Sequence, residues 1–142
     1  MEMIDVYTFE GAERVLYDLL RERDPAENIS HRDAPRFEAH CAFVASRPYQ
    51  AWYLVVVDGD VVGSIFLTKP PAPSQAGDEI AVRIFQKFKA ADFSAEAIRL
   101  LMEKHGPRRY LANVSPGNAG SISTFEGLGF VHIQNTYEFR RP

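Results

Sequence analysis

The chain has 142 residues, of which 46% are hydrophobic and 25% are charged, and its net charge is −3. This length fits one globular domain, residues 1–142, and no apolar run reaches the roughly 20 residues that a membrane-spanning helix needs. The net negative charge argues against bulk nucleic-acid binding.

The first third of the sequence predicts one strand and two helices. MIDVYTF at 3–9 alternates apolar and polar positions, which is typical of a strand. Apolar residues then recur at helical spacing over 10–23, and a polar segment at 24–35 predicts a loop. A second helix is predicted from Pro35 to about Ser46, because proline suits a first helical turn.

The remainder alternates strands with helices. AWYLVVVDGDVVGSIFLT (51–68) consists of two β-branched and aromatic runs around Asp58-Gly59-Asp60, a strong hairpin signal. The later predicted elements are a loop at 69–78, strands at 79–85 and 108–115, helices at 94–105 and 119–129, and two strands within 130–141 joined by a turn near Gln134-Asn135.

This order predicts an α/β fold with one mixed, mostly antiparallel central sheet and helices on both faces. The strand–helix–strand unit at 79–115 implies a parallel pair with a right-handed crossover, whereas the hairpins imply antiparallel neighbours. Charge is unevenly distributed: residues 1–30 have a balance of −5 and residues 83–109 a balance of +4. The basic segment can meet a small polyanion or be a solvated helix face.

Three stretches resemble one family. NAGSISTFEGLGF (118–130) is similar to a C-terminal signature in which an Asn opens a helix and a Gly-Phe follows it. YLVVVDGDVVG (53–63) and EIAVRIF (79–85) are similar to the central hairpin and the fourth strand of that family. Together with the element order, they resemble the GNAT superfamily, the acyl-CoA-dependent N-acyltransferases.

The resemblance implies a site for acetyl-CoA. Splayed strands at 79–85 and 109–115 would hold the pantetheine arm by main-chain hydrogen bonds, and the start of the helix near Ser94 would receive the pyrophosphate. The implied cofactor-binding residues are Val82, Ile84, Lys87, Lys89, Ala90, Asp92, Phe93, Ser94, Asn118 and Phe125. Asn118 suits either a contact with the cofactor arm or a helix N-cap.

The loop before this helix departs from the family. Alignment places Lys89, Asp92 and Ser94 where the family has Arg, Gly and Gly or Ala, and Ala90 falls on another common glycine position. A carboxylate about 4 Å from a phosphate charge costs about 1 kcal/mol at water-like screening and about 4 kcal/mol at an effective dielectric near 20. Two interpretations remain open: Asp92 weakens an anion site, or its side chain caps the helix.

Acyl transfer to an amine needs a base, and a leaving-group acid can assist. The resemblance implies Glu79 as the general base, with the neighbouring Asp78 as a substitute. The family's usual tyrosine acid corresponds to Phe125, which has no proton to give. Either protonation of the leaving group is dispensable, or another residue supplies the proton, with Tyr110 as the first candidate and Tyr137 and Ser121 as further ones.

No metal site is expected. The single cysteine, Cys41, excludes a multi-cysteine site and an internal disulfide, and the four histidines (His31, His40, His105 and His132) have no ligand spacing.

The resemblance predicts an N-acetyltransferase acting on a small-molecule or peptide amine, and the single cysteine with the acidic, polar start of the chain predicts a cytoplasmic location. A catalytically silent GNAT-fold binding or regulatory module is an alternative, as is an acyltransferase with a different acyl donor. Exposed edges of the last strands make a homodimer an expectation.

Overall fold

A five-stranded sheet organises the residues that the computed structural model describes, 1–22, 35–69 and 77–142. Its strands are β1 (Glu2–Asp5), β2 (Tyr49–Val57), β3 (Asp60–Thr68), β4 (Asp78–Ile84) and β5 (Tyr110–Leu111), which lie in that order across the sheet. Neighbours are antiparallel except for the parallel pair β4 and β5. The predicted mixed, mostly antiparallel sheet is therefore confirmed.

The described helices cover both faces of this sheet, as predicted. They are α1 (Ala12–Arg21), α2 (Phe37–Ala45), α3 (Phe93–His105) and α4 (Ala119–Gly127), with 3-10 turns at Val6–Thr8 and Gln86–Phe88. One core joins the sheet to α3 and α4 through Ile98, Leu101 and Phe125, and the other joins it to α1 and α2 through Leu16 and Val44. Within the described ranges no helix is both long and apolar enough to cross a bilayer.

The β2–β3 hairpin is confirmed with its turn at Asp58-Gly59. Both residues have left-handed backbone, with φ of 51° and 83°. Two left-handed residues in a two-residue loop match the twist of the flanking strands, and Asp-Gly is a favoured sequence for such a turn.

Gly63 on β3 allows an unusually close approach of β4. A Cβ atom added at Gly63 would lie 2.1 Å from the carbonyl oxygen of Arg83 and 2.9 Å from Cα of Ile84. No side chain fits at that distance, so glycine is required here for the contact between the two strands.

Four predicted strands were too long or wrong. The first ends at Asp5, because the Asp5 side chain accepts a hydrogen bond from the Tyr7 N–H at 2.8 Å and turns the chain into the 3-10 segment. The strand predicted at 108–115 is reduced to β5, because its ladder with β4 ends at Leu111.

The two strands predicted within 130–141 are wrong for this chain, where residues 131–142 are all exposed and form no strand. Alternating apolar and polar residues show that a segment can form a strand, but they do not show that a neighbouring strand is available to pair with it. Most of the predicted loops at 24–35 and 69–78, and His31, lie outside the described residues.

Candidate active site

The ladder between β4 and β5 ends after two residue pairs, and we call the edge of β4 that faces away from β3 beyond this ladder, Ile80 to Ile84, the opening. The parallel ladder joins Asp78 to Tyr110 and Glu79 to Leu111, and it ends there although β4 continues to Ile84. From Ile80 onwards β4 is paired with β3 on its other side. The ladder therefore ends in the stretch where the resemblance implied that the two strands splay.

The main chain of β4 directs alternate residues towards this opening. The Asp78 N–H donates to the Arg109 carbonyl beside β5 at 3.0 Å, while the Phe85 N–H donates to the Val62 carbonyl on β3 at 2.8 Å. Successive residues of a strand direct their N–H and C=O groups to opposite sides. Val82 and Ile84 lie an even number of residues from Asp78, so their main-chain groups point to the same side of β4, towards the opening.

A 3-10 turn replaces the glycine-rich loop at the end of β4. The N–H groups of Phe88, Lys89 and Ala91 donate to carbonyls three residues earlier, at 2.9–3.3 Å. The Gln86 N–H donates to the Glu22 carboxylate at 2.8 Å. These four donors are thus engaged within the protein, which leaves the first turn of α3 as the main source of N–H groups for an anion.

Asp92 occupies the N-cap position of α3, but its side chain makes no capping hydrogen bond. Its φ is −85°, so the backbone does not require glycine at this position. The side chain is exposed, as are Lys87, Lys89 and Ala90, whereas Phe93 and Ser94 are half-buried. The first turn of α3 therefore keeps an anion-attracting dipole with one carboxylate and two lysines nearby.

Asn118 caps α4: its Oδ1 accepts from the Ser121 N–H at 3.2 Å. Its amide nitrogen remains a donor, so the cap does not remove it from the candidate cofactor residues. Phe125 is 8% exposed and packs edge-to-face on Phe130, with ring centroids 5.0 Å apart. It belongs to the core shared by α3 and α4.

The start of β4 is fixed by a hydrogen-bonded ion pair. Arg108 Nη1 donates to Asp78 Oδ2 and to Gln50 Oε1, both at 2.9 Å, and Arg108 Nη2 donates to the His105 carbonyl at 2.9 Å. The Asp78 side chain is 10% exposed. Because its carboxylate is already paired, Asp78 serves as an anchor between β2, β4 and the end of α3 and is poorly placed to act as a base.

Glu79 is oriented differently from its neighbour. Side chains of adjacent strand residues point to opposite faces, so Glu79 lies on the α1–α2 face. There its charge affects Tyr49, whose pKa is raised to about 12, first by burial and then by Glu79 and Tyr7. The Glu79 N–H donates to Thr68 Oγ1 at 2.9 Å, which ties its backbone to β3.

A surface cavity of about 280 Å³ lies on the same face as Glu79. Its lining residues are Asp5, Tyr7, Arg47, Tyr49, Gln50, Ala51, Trp52 and Lys69. Trp52 is 7% exposed, and its indole N–H has no hydrogen-bond partner among the described residues. Tyr53, the next residue, points to the opposite face, where its hydroxyl pairs with His105 Nε2 at 2.9 Å. A second surface depression, of about 400 Å³, lies between β1 and α3 and shares no lining residue with the first cavity.

The three candidate acids are placed differently. The Tyr110 hydroxyl donates to the Gly106 carbonyl at 2.6 Å and lies 3.3 Å from the Met102 carbonyl, so it satisfies the C-terminal end of α3. Burial is the main cause that raises its pKa. Tyr137 is 88% exposed on the C-terminal segment. Ser121 lies in the first turn of α4.

Sequence reasoning missed four residues that shape the site: Arg108, Gln50, Tyr49 and Glu22. The Arg108 network joins segments far apart in sequence, so no local pattern could reveal it. Among the described residues, no group of three or more His, Cys, Asp or Glu side chains is placed to hold a metal ion.

Known proteins match this chain in structure and not in sequence. No family model and no curated protein sequence matches the chain. Solved structures do match, among them a chimera of the spermidine N-acetyltransferase SpeG from Vibrio cholerae with hSSAT, with a TM-score of 0.74, 14% identity and coverage of 94% of this chain and 84% of that one.

Two further structures show the same similarity. Ribosomal-protein-alanine N-acetyltransferase from Brucella melitensis has a TM-score of 0.71 and 18% identity and covers 91% of this chain and 83% of its own. A provisionally assigned GnaT-family acetyltransferase from Bordetella pertussis has a TM-score of 0.73 and 18% identity and covers 94% and 86%. The chain therefore has the fold of the GNAT acetyltransferases, which confirms the resemblance read from its sequence at the level of the fold.

Proposed function

We propose that the protein is an N-acetyltransferase that transfers the acetyl group of acetyl-CoA to a primary amine. The observation that carries this proposal is the opening beside β4, towards which the main-chain groups of Val82 and Ile84 point. A pantetheine arm is a chain of amides, and such groups are the partners that it needs. The amine acceptors named for the two structural neighbours, spermidine and a ribosomal-protein alanine, support the same reaction class.

The donor would lie along β4 with its pyrophosphate at the first turn of α3. The N–H groups of Phe93 and Ser94 would bind the phosphates, aided by the helix dipole and by Lys87 and Lys89. Asn118 would contribute its amide N–H from the other side of the opening. The thioester supplies an activated acetyl group.

Glu79 would act as the general base from the α1–α2 face. Its carboxylate would take a proton from the attacking amine, directly or through one water molecule, as the C–N bond forms and the C–S bond breaks. The leaving thiolate would take its proton from solvent, because Phe125 has none to give and the Tyr110 hydroxyl is engaged by helix carbonyls. The acceptor would enter through the cavity that contains Tyr49 and Gln50.

Two observations favour a second candidate, a GNAT-fold module that binds a ligand without turnover. The 3-10 turn engages the N–H groups that a glycine-rich loop would present, and Asp92 places a carboxylate beside the remaining ones. An acyltransferase with another acyl donor is the third candidate, because a remodelled loop favours a differently charged ligand. Calorimetric titration with acetyl-CoA, CoA and a longer acyl-CoA identifies the preferred donor, and a turnover assay with an amine separates the enzyme from a module that binds without turnover.

Binding is tested first by thermal unfolding. Acetyl-CoA at about 100 times its dissociation constant should stabilise the fold by about 2.7 kcal/mol, which shifts the midpoint by roughly 8–10 °C. Val82→Pro removes an N–H that faces the opening while leaving the β3 ladder intact, so it should abolish this shift in a protein that still unfolds cooperatively. The absence of any shift at millimolar acetyl-CoA would contradict the proposal.

Turnover is tested with Glu79→Gln and a panel of amines that includes a polyamine and an N-terminal alanine peptide. We expect acetyl transfer to fall by about 10²–10⁴-fold, the usual contribution of a general base, while acetyl-CoA binding is unchanged. Asp78→Asn serves as the matched neighbour, and its effect should appear in stability. Equal loss of activity in both variants would remove Glu79 from the proposed role.

A further inference from the structure

The cavity on the Glu79 face has more basic than acidic side chains. Its charged lining residues are Arg47, Lys69 and Asp5. The Asp5 carboxylate already accepts a hydrogen bond from the Tyr7 N–H at 2.8 Å. The side chains of Arg47 and Lys69, in contrast, form no hydrogen bond or ion pair with any of the described residues. Two cationic donors without such partners therefore share this cavity with one acid that is already engaged.

Arg47 is oriented by an aromatic ring and not by an anion. Its guanidinium carbon lies 4.0 Å from the centroid of the Tyr7 ring. The Tyr7 hydroxyl in turn donates to the Val44 carbonyl at 2.7 Å, which ties this ring to the last turn of α2. A guanidinium that lies over a ring keeps the N–H donors at its edge available, and two of them can bind one carboxylate. The position of Arg47 is thus suited to an anionic ligand.

The backbone of Arg47 is unusual for an arginine. Arg47 follows the C-cap residue of α2, Ser46, and has a left-handed backbone with φ of 51°. Helices commonly end with a residue in this conformation, but that residue is usually glycine or sometimes asparagine, because other side chains are strained there. The end of α2 therefore does not require arginine, and glycine would suit its backbone better.

The other lining groups add a donor and an apolar wall. The Tyr49 hydroxyl has no hydrogen-bond partner in the described part of the chain, and burial is the main cause that raises its pKa to about 12, so it keeps its proton at neutral pH. The Tyr49 and Trp52 rings pack edge-to-face with centroids 4.7 Å apart. Gln50 is already engaged, because its amide donates to the Thr68 carbonyl and its Oε1 accepts from Arg108.

We infer that the acceptor is a small amine that also carries a carboxylate, with the carboxylate bound by Arg47 and Lys69 and the amine directed towards Glu79. This inference rests on the proposed function, in which the acceptor enters through this cavity. The charges of both Glu79 and Tyr7 affect Tyr49, which places Tyr49 between the base and the Arg47 side of the cavity.

The size and charge of the cavity favour such a ligand over a polyamine. Its volume of about 280 Å³ fits a small molecule. A polyamine has positive charges only and would bring them close to two cations, whereas an amino acid offers one charge to Arg47 and Lys69 and the other to Glu79. The products would be an N-acetylated acid and free CoA, because the new C–N bond replaces the C–S bond of the thioester.

Acetylation of a series of amino acids tests this specificity. The probes are the unbranched series from glycine to 6-aminohexanoate and L-phenylalanine, each with its matched amide, and spermidine, with CoA release followed by a thiol reagent. We expect kcat/KM for the best acid to exceed that for its amide by about tenfold or more, the effect of a hydrogen-bonded charge. Spermidine should be a poor acceptor.

The variant Arg47→Gln should remove this preference by raising KM for the acid about tenfold or more, while KM for the amide is unchanged. Arg14→Gln makes the same change of charge on the exposed surface of α1, outside the cavity, and should keep the preference. Comparing the acid-to-amide ratio between proteins cancels the different basicity of the two amines. Arg47→Gly should lose the preference as well, with a melting temperature close to that of the parent, because its backbone suits glycine.

Calorimetric titration without acetyl-CoA separates this inference from the proposed function. The parent should bind the preferred acid more tightly than its amide, and Arg47→Gln should not. An acid that binds through Arg47 but is never acetylated would support the carboxylate site and contradict the proposed function. Three results would overturn the inference: faster acetylation of amides or spermidine than of acids, an acid preference that survives in Arg47→Gln, or binding of none of the acids.

Discussion

Replacing Arg108 with methionine should destabilise the start of β4. Its guanidinium joins Asp78, Gln50 and the His105 carbonyl at the end of α3, each at 2.9 Å. Methionine keeps most of the aliphatic length but leaves the Asp78 carboxylate, 10% exposed, with the longer 3.5 Å contact from Gln50 as its side-chain partner. The cost arises mainly from that stranded charge.

Its magnitude follows from the exposure of the two partners. Removing one member of a buried ion pair costs about 3–5 kcal/mol. Arg108 is 32% exposed, so water screens part of this interaction and we expect about 2–3 kcal/mol. With a urea slope of ~1.5 kcal/mol per molar, the unfolding midpoint should fall by roughly 1.3–2 M.

The assay is urea unfolding of both single variants and the double variant. Asp78→Asn should cost less, because Arg108 keeps its contacts with Gln50 and the helix, and the coupling energy of the cycle should be about 1–2 kcal/mol. Arg14→Met is the control, since Arg14 and Asp18 form an exposed pair at 3.5 Å worth about 0.5 kcal/mol or less. An Arg108→Met protein within 0.5 kcal/mol of the parent would refute the role of this network.

Three further variants test separate features. Gly63→Ala should cost about 3 kcal/mol in urea unfolding, because its Cβ would meet a β4 carbonyl oxygen at 2.1 Å, whereas Gly117→Ala, with open space around it, should be neutral or slightly stabilising. Burial lowers the pKa of His40 below 6.5, so the folded state resists protonation and stability should fall as the pH drops below about 6.5; His40→Phe should reduce this slope by up to about 1.4 kcal/mol per pH unit. If the acetyl-CoA site is at α3, Asp92→Asn should tighten calorimetric binding tenfold or more without altering stability, and Glu103→Gln at the opposite end of that helix should not.

Local patterns predicted most of the fold, because hairpin turns, helix periodicity and β-branched runs each depend on residues that are consecutive in the sequence. The Asp58-Gly59 turn and α3 illustrate this. The failures involve partners that a sequence does not display. β5 is short because its ladder with β4 ends at Leu111, and residues 131–142 form no strand because none of the described strands pairs with them.

The candidate site could likewise be predicted in part from the sequence. Family motifs indicated β4 and the start of α3. The hydrogen bond from the Asp78 N–H to the Arg109 carbonyl then determines which β4 residues direct their main-chain groups towards the opening. The Arg108 network could not be predicted, because it joins β2, β4 and α3 across the sheet. The 3-10 turn could not be predicted either, because the identities of Lys89 and Ala90 do not determine which carbonyls accept hydrogen bonds from the N–H groups of this segment.

The backbone of residues 86–92 also bears on how this protein can evolve. None of these residues has a positive φ, so the loop can change its composition without changing its path. Codons for Asp92 lie one base from those for asparagine and glycine. If the first turn of α3 binds the proposed pyrophosphate, single-nucleotide steps at Asp92 can raise or lower the affinity in a lineage while the loop keeps its path, whereas a loop with obligatory glycines would have to change its backbone as well.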